Sequence, residues 1–388
     1  MNRSHLIPIC LFGLWLVVTS VAGLSVDVDN ICKKRAISTC SREYSPCSCT
    51  DGNVVCDQIS VADIKIVFST MPRHDLKSVK IILSPYETEP IPDDILGNVR
   101  VTSIELACVE NSNLRVSNYA FRASSESVRS ANIDGCNLSQ LDFAFMSDMN
   151  KLHNLYIFRS IEFISFQGLP SSPDFKLMSI TGSSQFLALD DTPVNLFGLE
   201  ILYLNDNQLD DTEAAKLIKS LASSSVESLI EFRLYNNKLT RIPDMLLSLP
   251  NLKELSLNNN QITLLSTNSL AFKGPISISL GNNNIRNIRP GAFGSLKSMG
   301  TFVTIRLNLN KFNRMDSNVF QTVLEGMALA GEGSLELGET PITCDCSLAW
   351  LIRDSRHLLK HVFYGKCLED SSDFADTNLE RFSECPTA

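Results

Sequence analysis

Two stretches of this chain repeat one pattern 23 residues apart: LIEFRLYNNKL begins at Leu229 and LKELSLNNNQI begins at Leu252. Both fit L-x-x-L-x-L-x-x-N-x-L, with Leu229, Phe232, Leu234, Asn237 and Leu239 answered by Leu252, Leu255, Leu257, Asn260 and Ile262. The fourth and sixth positions alternate as in a strand, so Phe232 and Leu234 face inward while Arg233 faces out. The asparagine falls where the chain leaves the strand. Its amide carries donors and acceptors that satisfy buried backbone groups of the turn and stack into a ladder. A single unit of this kind cannot bury its own apolar face, so the pattern demands many stacked copies. Each copy then packs only against its neighbours, and a chain of 388 residues needs no single oversized core.

Further copies flank these two. Their starts fall at Leu76, Val101, Val128, Leu152, Phe175, Leu199, Pro275 and Phe302, and a final partial copy carries Leu335 and Leu337. Asn207, Asn237, Asn260, Asn283 and Asn310 hold the ladder position in the second half; Cys136, Ser160 and Ser183, which are smaller and bond less fully, hold it in the first. Return segments carry Phe121, Phe145, Phe272, Phe293 and Phe320, which are expected to stack as a spine under the convex side. One return segment is longer. DDTEAAKLIKSLASSS has Asp210 or Asp211 as N-cap and Leu217, Ile218 and Leu221 on one helical face, which predicts a convex-side helix. The segments before Phe302 and Leu335 are expected to be similar insertions.

The first residues belong to another class. Arg3 supplies a positive start, Leu6 to Val21 is almost continuously apolar, and Val21-Ala22-Gly23 offers small residues for cleavage. Residues 1–23 therefore read as a secretory signal peptide. The run is short of the ~20 residues a spanning helix needs. Removing Arg3 takes the formal charge from −9 to −10, a poor match for nucleic acid or an anionic membrane surface. A soluble, secreted, extracellular protein with no membrane span is expected.

Twelve cysteines, eleven of them beyond the leader, suit an oxidising compartment. Cys40, Cys47, Cys49 and Cys56 precede the repeats, and Cys344, Cys346, Cys367 and Cys385 follow them. Spacing alone leaves three pairings open within each set of four. The C-x-C spacing is too tight for the usual paired zinc ligands, and no metal is expected. Of the remaining three, Cys136 sits at the ladder position and Cys108 one residue short of it in the preceding copy. A one-residue offset at strand spacing separates the Cα atoms by roughly 5–6 Å, within disulfide range. A Cys108–Cys136 bridge is therefore expected, with two buried thiols as the alternative if the two side chains point apart. Cys32 is left odd, free or paired to another chain.

These features together resemble an extracellular leucine-rich repeat protein. The front cysteine block looks like the N-terminal cap of that class, and TPITCDCSLAWLIRD resembles its C-terminal cap. The resemblance implies Cys40–Cys49 and Cys47–Cys56 at the front, Cys344–Cys367 and Cys346–Cys385 at the back, and Trp350 over the open end of the core. The fold it implies is an α/β horseshoe solenoid with a parallel concave sheet, about ten to eleven repeats and cysteine-rich caps at both ends. The domain plan is a signal peptide over 1–23, an N-terminal segment and cap over 24–57, repeats over 58–340 and a C-terminal cap over 341–388. More narrowly, FRLYNNKLTRIP, ISISLGNNNI and the stretch from VFQTVLEGMALAG to CDCSLAWL resemble arthropod secreted proteins named after the non-catalytic subunit of oplophorus-luciferin 2-monooxygenase. In that enzyme the repeat subunit accompanies a small catalytic partner and does no chemistry itself.

No pattern in the chain demands catalysis or a cofactor. His357 and His361 lie four apart, but no Glu follows the first as in H-E-x-x-H, so a solvated helix face is expected. Asp93-Asp94 and Asp190-Asp191 read as caps and surface rather than catalytic pairs. Binding of another protein is the stronger class. The outward strand residues are small or charged near the ends, at Ser78, Lys80, Ser103, Glu105, Ser277, Ser279 and Glu336. The middle carries Leu177 and Ile201 with the candidate binding residues Tyr156, Phe158, Tyr203, Arg233 and Tyr235. Aromatic and Arg side chains clustered on a polar sheet match the composition of interface hot spots. Rival readings are an accessory subunit of a secreted oxygenase complex, or an immune or glycan-recognition module. Asn137-Leu138-Ser139 is the one N-x-S/T sequon beyond the leader and a candidate glycosylation site.

Overall fold

The computed structural model describes residues 45–387 apart from 72–74, 164, 187–191, 273 and 295–301. The expected leader, Cys32, Cys40, Asp190-Asp191 and most of the insertion before Phe302 lie outside the described residues.

One sheet of fourteen strands runs through the molecule in chain order. It opens with β1 (Cys47–Thr50), β2 (Asn53–Ile59), β3 (Asp75–Leu83), β4 (Arg100–Cys108), β5 (Ser130–Asp134), β6 (Asn154–Phe158) and β7 (Leu177–Thr181). It continues with β8 (Ile201–Tyr203), β9 (Glu231–Arg233), β10 (Glu254–Ser256), β12 (Ile276–Ser279), β14 (Val303–Arg306), β15 (Ser334–Glu336) and β16 (Val362–Phe363). Two further strands among the described residues, β11 (Leu264–Leu265) and β13 (Asn287–Ile288), pair apart from it on the return side. β1 is antiparallel to β2, and every later pairing is parallel.

The register follows the repeat template over its whole length. The fourth-position residues Val79, Ile104, Ala131, Leu155, Met178, Leu202, Phe232, Leu255, Ile278, Ile305 and Leu335 align across the sheet. All of them are buried. In the copies starting at Pro275 and Phe302 the first position is exposed, and the next residues, Ile276 and Val303, fill the core instead.

The eighth template position turns the chain out of the strand. Gly135, Gly182, Asp206, Asn236, Asn259 and Asn282 all sit there at positive φ, a conformation that Gly, Asn and Asp adopt most readily. In the copies starting at Leu76 and Val101 the turn is postponed, so β3 and β4 run longer and Cys108 still lies within its strand. The structure joins Cys108 to Cys136, with Cα atoms 4.9 Å apart. Turn position therefore decides the direction question: Cys108 leaves the end of an extended strand, whereas Cys136 follows the left-handed Gly135.

Among the described residues three α-helices back the sheet. α1 (Val61–Thr70), which the repeat template did not predict, starts at Ser60 and buries Ile64, Val67 and Phe68. α2 (Asp211–Ala222) is the expected helix. Asp210 is its N-cap and accepts from the N–H groups of Thr212 and Glu213, while Glu213 accepts in return from Asp210 N–H at 3.1 Å. α3 (Ser317–Ala330) occupies the insertion before Leu335 and ends at Gly331, which takes the left-handed C-cap at φ +78°.

The phenylalanine spine forms in two stretches: Phe121 meets Phe145 at 6.0 Å, and Phe293 meets Phe320 at 5.7 Å. Phe272 is buried as well.

At the front, Cys47 bonds Cys56. Cys49 is also disulfide-bonded, and Cys40, its implied partner, lies outside the described residues. At the back, Cys344–Cys367 and Cys346–Cys385 hold the cap, and Trp350 is buried with its indole N–H donating to Met315 O at 2.7 Å.

One expectation fails here. His357 is exposed, but His361 is buried, with Nδ1 3.0 Å from Gly333 O. The segment Arg356–His361 is a 3-10 helix, in which residues three apart share a face, so His361 follows Leu358 into the core.

Candidate functional site

Outward residues of the strands form three parallel rows on the concave face. The middle row carries Lys80, Glu105, Asn132, Tyr156, Ser179, Tyr203, Arg233, Ser256, Ser279, Arg306, Glu336 and Phe363 in register. Its charges are largely answered across strands. Lys80 pairs with Glu105 at 2.6 Å and Arg306 with Glu336 at 3.3 Å.

The five sequence-derived binding residues fall into two groups. Tyr156 and Phe158 stack on one another along β6, with ring centroids 5.8 Å apart. Strand β7 offers only Ser179 and Thr181 opposite them, so the next large side chain in the row is Tyr203, two strands away at about 10 Å. Tyr203 and Arg233 are direct register partners, and the guanidinium lies 4.5 Å from the tyrosine ring centre. Tyr235 lies two residues further along, in the row where its carbonyl accepts from Asp206 N–H.

Two residues not marked from sequence complete the second group. Glu231 pairs with Arg233 at 2.5 Å and accepts from the Tyr203 hydroxyl at 2.9 Å; Glu254 lies 3.7 Å from Arg233. Both glutamates stand one strand position before the aromatic row, a signal available once registers are counted. Burial, reinforced by the hydrogen bond to Glu231, pushes the Tyr203 hydroxyl up to about 12. Tyr203 is thus a neutral donor at physiological pH, held from two sides.

The concave face ends in a second feature, unmarked from sequence. An open hollow of about 1010 Å³ lies between the last repeats and the folded-back C-terminal cap. Tyr364, 69% exposed, lines it, next to Phe363 at the end of the middle row. Asn137, the sequon residue, is half-buried; its Nδ2 donates to Glu162 at 2.6 Å and its Oδ1 accepts from Ser139 N–H.

A family model described as leucine rich repeats (2 copies) matches residues 227–270, the stretch of best repeats. No curated protein matches the chain. Among solved structures, a chain of the octameric complex of Latrophilin 3 (Lec, Olf), Unc5D (Ig, Ig2, TSP1) and FLRT2 (LRR) is similar over 88% of this chain and 99% of that one, with 18% identity and a TM-score of 0.53. The TLR13–ssRNA13 complex is similar over 71% of this chain, which spans 41% of that one, with 16% identity and a TM-score of 0.47. For the Drosophila Toll–Spatzle complex the shares are 83% and 56%, with 14% identity and a TM-score of 0.42. At these identities the first likeness speaks to the fold alone. The chain is a leucine-rich repeat solenoid with a parallel concave sheet and disulfides near both ends. Among the described residues no helix is long and apolar enough to cross a membrane.

Proposed function

We propose that this is a secreted, non-enzymatic protein that binds another protein through its concave face. The observation that carries the reading is the Tyr203–Arg233 pair, large side chains fixed in place by Glu231 on the concave sheet. Side chains already ordered lose little entropy on docking, which favours their use as anchors. The oxidised cysteines fit an extracellular setting. The solved complex containing FLRT2 (LRR) is itself an assembly with other proteins, which is in keeping with this reading. Once a partner is isolated with the purified protein, replacing Tyr203 and Arg233 together by Ala is expected to weaken it by about 2 kcal/mol or more, with an unchanged thermal melt. Full retention of the partner by that variant would move the site elsewhere.

A finer reading makes the chain the accessory subunit of a secreted oxygenase complex, on the resemblance of its repeats and C-terminal stretch to luciferase non-catalytic subunits. An obligate subunit never runs alone, so a free monomer on size exclusion of native body fluid would reject it. Secretion also exposes Asn137 to glycosylation. A linked amide keeps one N–H, enough for the bond to Glu162. Glycosidase treatment of the secreted protein is expected to raise its gel mobility, and an unchanged band would rule occupancy out.

A further inference from the structure

The hollow at the C-terminal end of the concave face has a chemistry unlike that of the Tyr203 cluster. The charged groups on its lining cancel, with Arg306 and Lys366 set against Glu336 and Glu339. The two cations are also engaged locally: Arg306 lies 3.3 Å from Glu336 and Lys366 lies 3.7 Å from Asp373. An anionic ligand therefore finds no free positive site. What remains is a wall of side-chain amides facing an apolar wall.

The amide wall has a direction. Asn282 Nδ2 donates to Asn259 Oδ1 at 2.7 Å, Asn259 Nδ2 donates to Asn236 Oδ1 at 2.5 Å, and Asn236 Nδ2 donates to Asp206 Oδ1 at 2.6 Å. Each amide in the chain is polarised by the next, and the series ends on a carboxylate. The opposite end, Asn282 Oδ1, accepts from no group among the described residues and lines the hollow. The next copy has no amide to continue the series. Leu309 stands there at φ +57°, 42% exposed, where a β-carbon is disfavoured and Asp or Asn stands in the four preceding copies. The amide of Asn308 likewise has no hydrogen-bond partner among the described residues.

Two seventh-position residues lack side chains at the floor between these walls: Gly281 makes room for the Asn308 amide, and Gly338 leaves the floor open. Gly281 lies beneath Asn308, whose Oδ1 is 2.7 Å from where a β-carbon would stand. Gly338 leaves the space between Asn308 and Tyr364 empty. Over it stands the Tyr364 ring, 69% exposed.

From this arrangement we infer that the hollow binds a neutral oligosaccharide. Vicinal hydroxyls are at once donors and acceptors, which is what Asn282 Oδ1 and the Asn308 amide require. The apolar face of a pyranose ring packs flat on an exposed tyrosine and on Leu309. Lack of net charge on the lining favours an uncharged sugar over sialylated or sulfated ones. A volume of about 1010 Å³ holds several sugar units rather than one. This inference is independent of the Tyr203–Arg233 reading, since the residues do not overlap.

The test uses the full secreted protein on a high-density array of neutral, sialylated and sulfated oligosaccharides, followed by titration of the best neutral glycan. Retention on neutral glycans is expected. Tyr364→Ala and Gly338→Gln are each expected to weaken the titrated affinity tenfold or more, and Tyr203→Ala to leave it unchanged. Gly338→Gln guards against misfolding, because a β-carbon there meets its nearest neighbour, Tyr364 Cβ, at an ordinary 3.6 Å. Retention on anionic glycans alone, no retention at all, or affinity that survives both variants would overturn the inference. So would loss of a protein partner on Tyr364→Ala when no glycan is retained, which would make the hollow part of a protein interface.

Discussion

The two halves of the solenoid meet the same demand, tying each turn to the next at the ninth template position, with different chemistry. From Asn207 to Asn310 the tie is an amide. Asn260 Nδ2 donates to Leu257 O in its own copy and to Leu234 O in the copy before, both at 3.0 Å, and its Oδ1 accepts from Leu239 N–H. Asn283 repeats the arrangement with Leu280, Leu257 and Ile262. Thr340 closes the series, accepting from Asn310 N–H and donating to Leu307 O. In the first half the tie is a hydroxyl and then a covalent bond. Ser160 Oγ accepts from Cys136 N–H at 3.3 Å and donates to Phe158 O at 3.0 Å, within its own copy. A hydroxyl carries a single proton, so it donates to one carbonyl only, that of its own copy at Ser160 and that of the preceding copy at Thr340. Beyond Cys136 the ladder gives way to the bond with Cys108. The comparison teaches that the repeat needs linkage at this position and not asparagine as such; the number of donor protons decides how many bonds each residue type supplies.

Removing the covalent tie is expected to produce the largest loss. Cys108→Ala with Cys136→Ala should lower stability by about 2–4 kcal/mol, because an unfolded chain freed of the cross-link gains entropy. Denaturant unfolding of the double variant checks this, and a curve matching the parent would mean the weak repeats need no staple. Asn260→Ala comes next. Its carbonyl partners keep other donors, Asn237 on Leu234 O, Asn283 on Leu257 O and Asn236 N–H on Asn258 O. Only the buried Leu239 N–H is orphaned, so the expected loss is about 1–3 kcal/mol rather than a multiple of that. A larger measured loss would show that the amide ladder acts cooperatively. Ser160→Ala should cost least, about 1 kcal/mol, since the bond lost from Cys136 N–H is long. If Ser160→Ala and Asn260→Ala shift the melting temperature equally, the second donor of the amide contributes nothing and the contrast between the halves collapses.

Much of the candidate site was legible because its residues obey a local rule. Tyr156, Phe158, Tyr203, Arg233 and Tyr235 all occupy outward positions of a template with period two, and the sheet keeps that alternation. Their grouping was less legible. That Arg233 is clamped by Glu231 and leans on Tyr203 depends on side-chain reach across a strand boundary, which spacing alone does not rank. The C-terminal hollow left no mark in the repeats, because one wall comes from Tyr364 and Leu368 of a segment with no template of its own.

The sequence by itself determined the inward and outward faces, the copy-to-copy register and the ladder residues. These are set by backbone periodicity and by which side chains tolerate a left-handed turn, properties each residue carries with it. Tertiary structure alone decided that β3 and β4 overrun their turn so that Cys108 meets Cys136. It also placed β16 in the sheet and sent His361 inward rather than into solvent. Those outcomes rest on contacts between residues distant in the chain, where the energy of packing the cap against α3 and β15 outweighs the preference of any short segment.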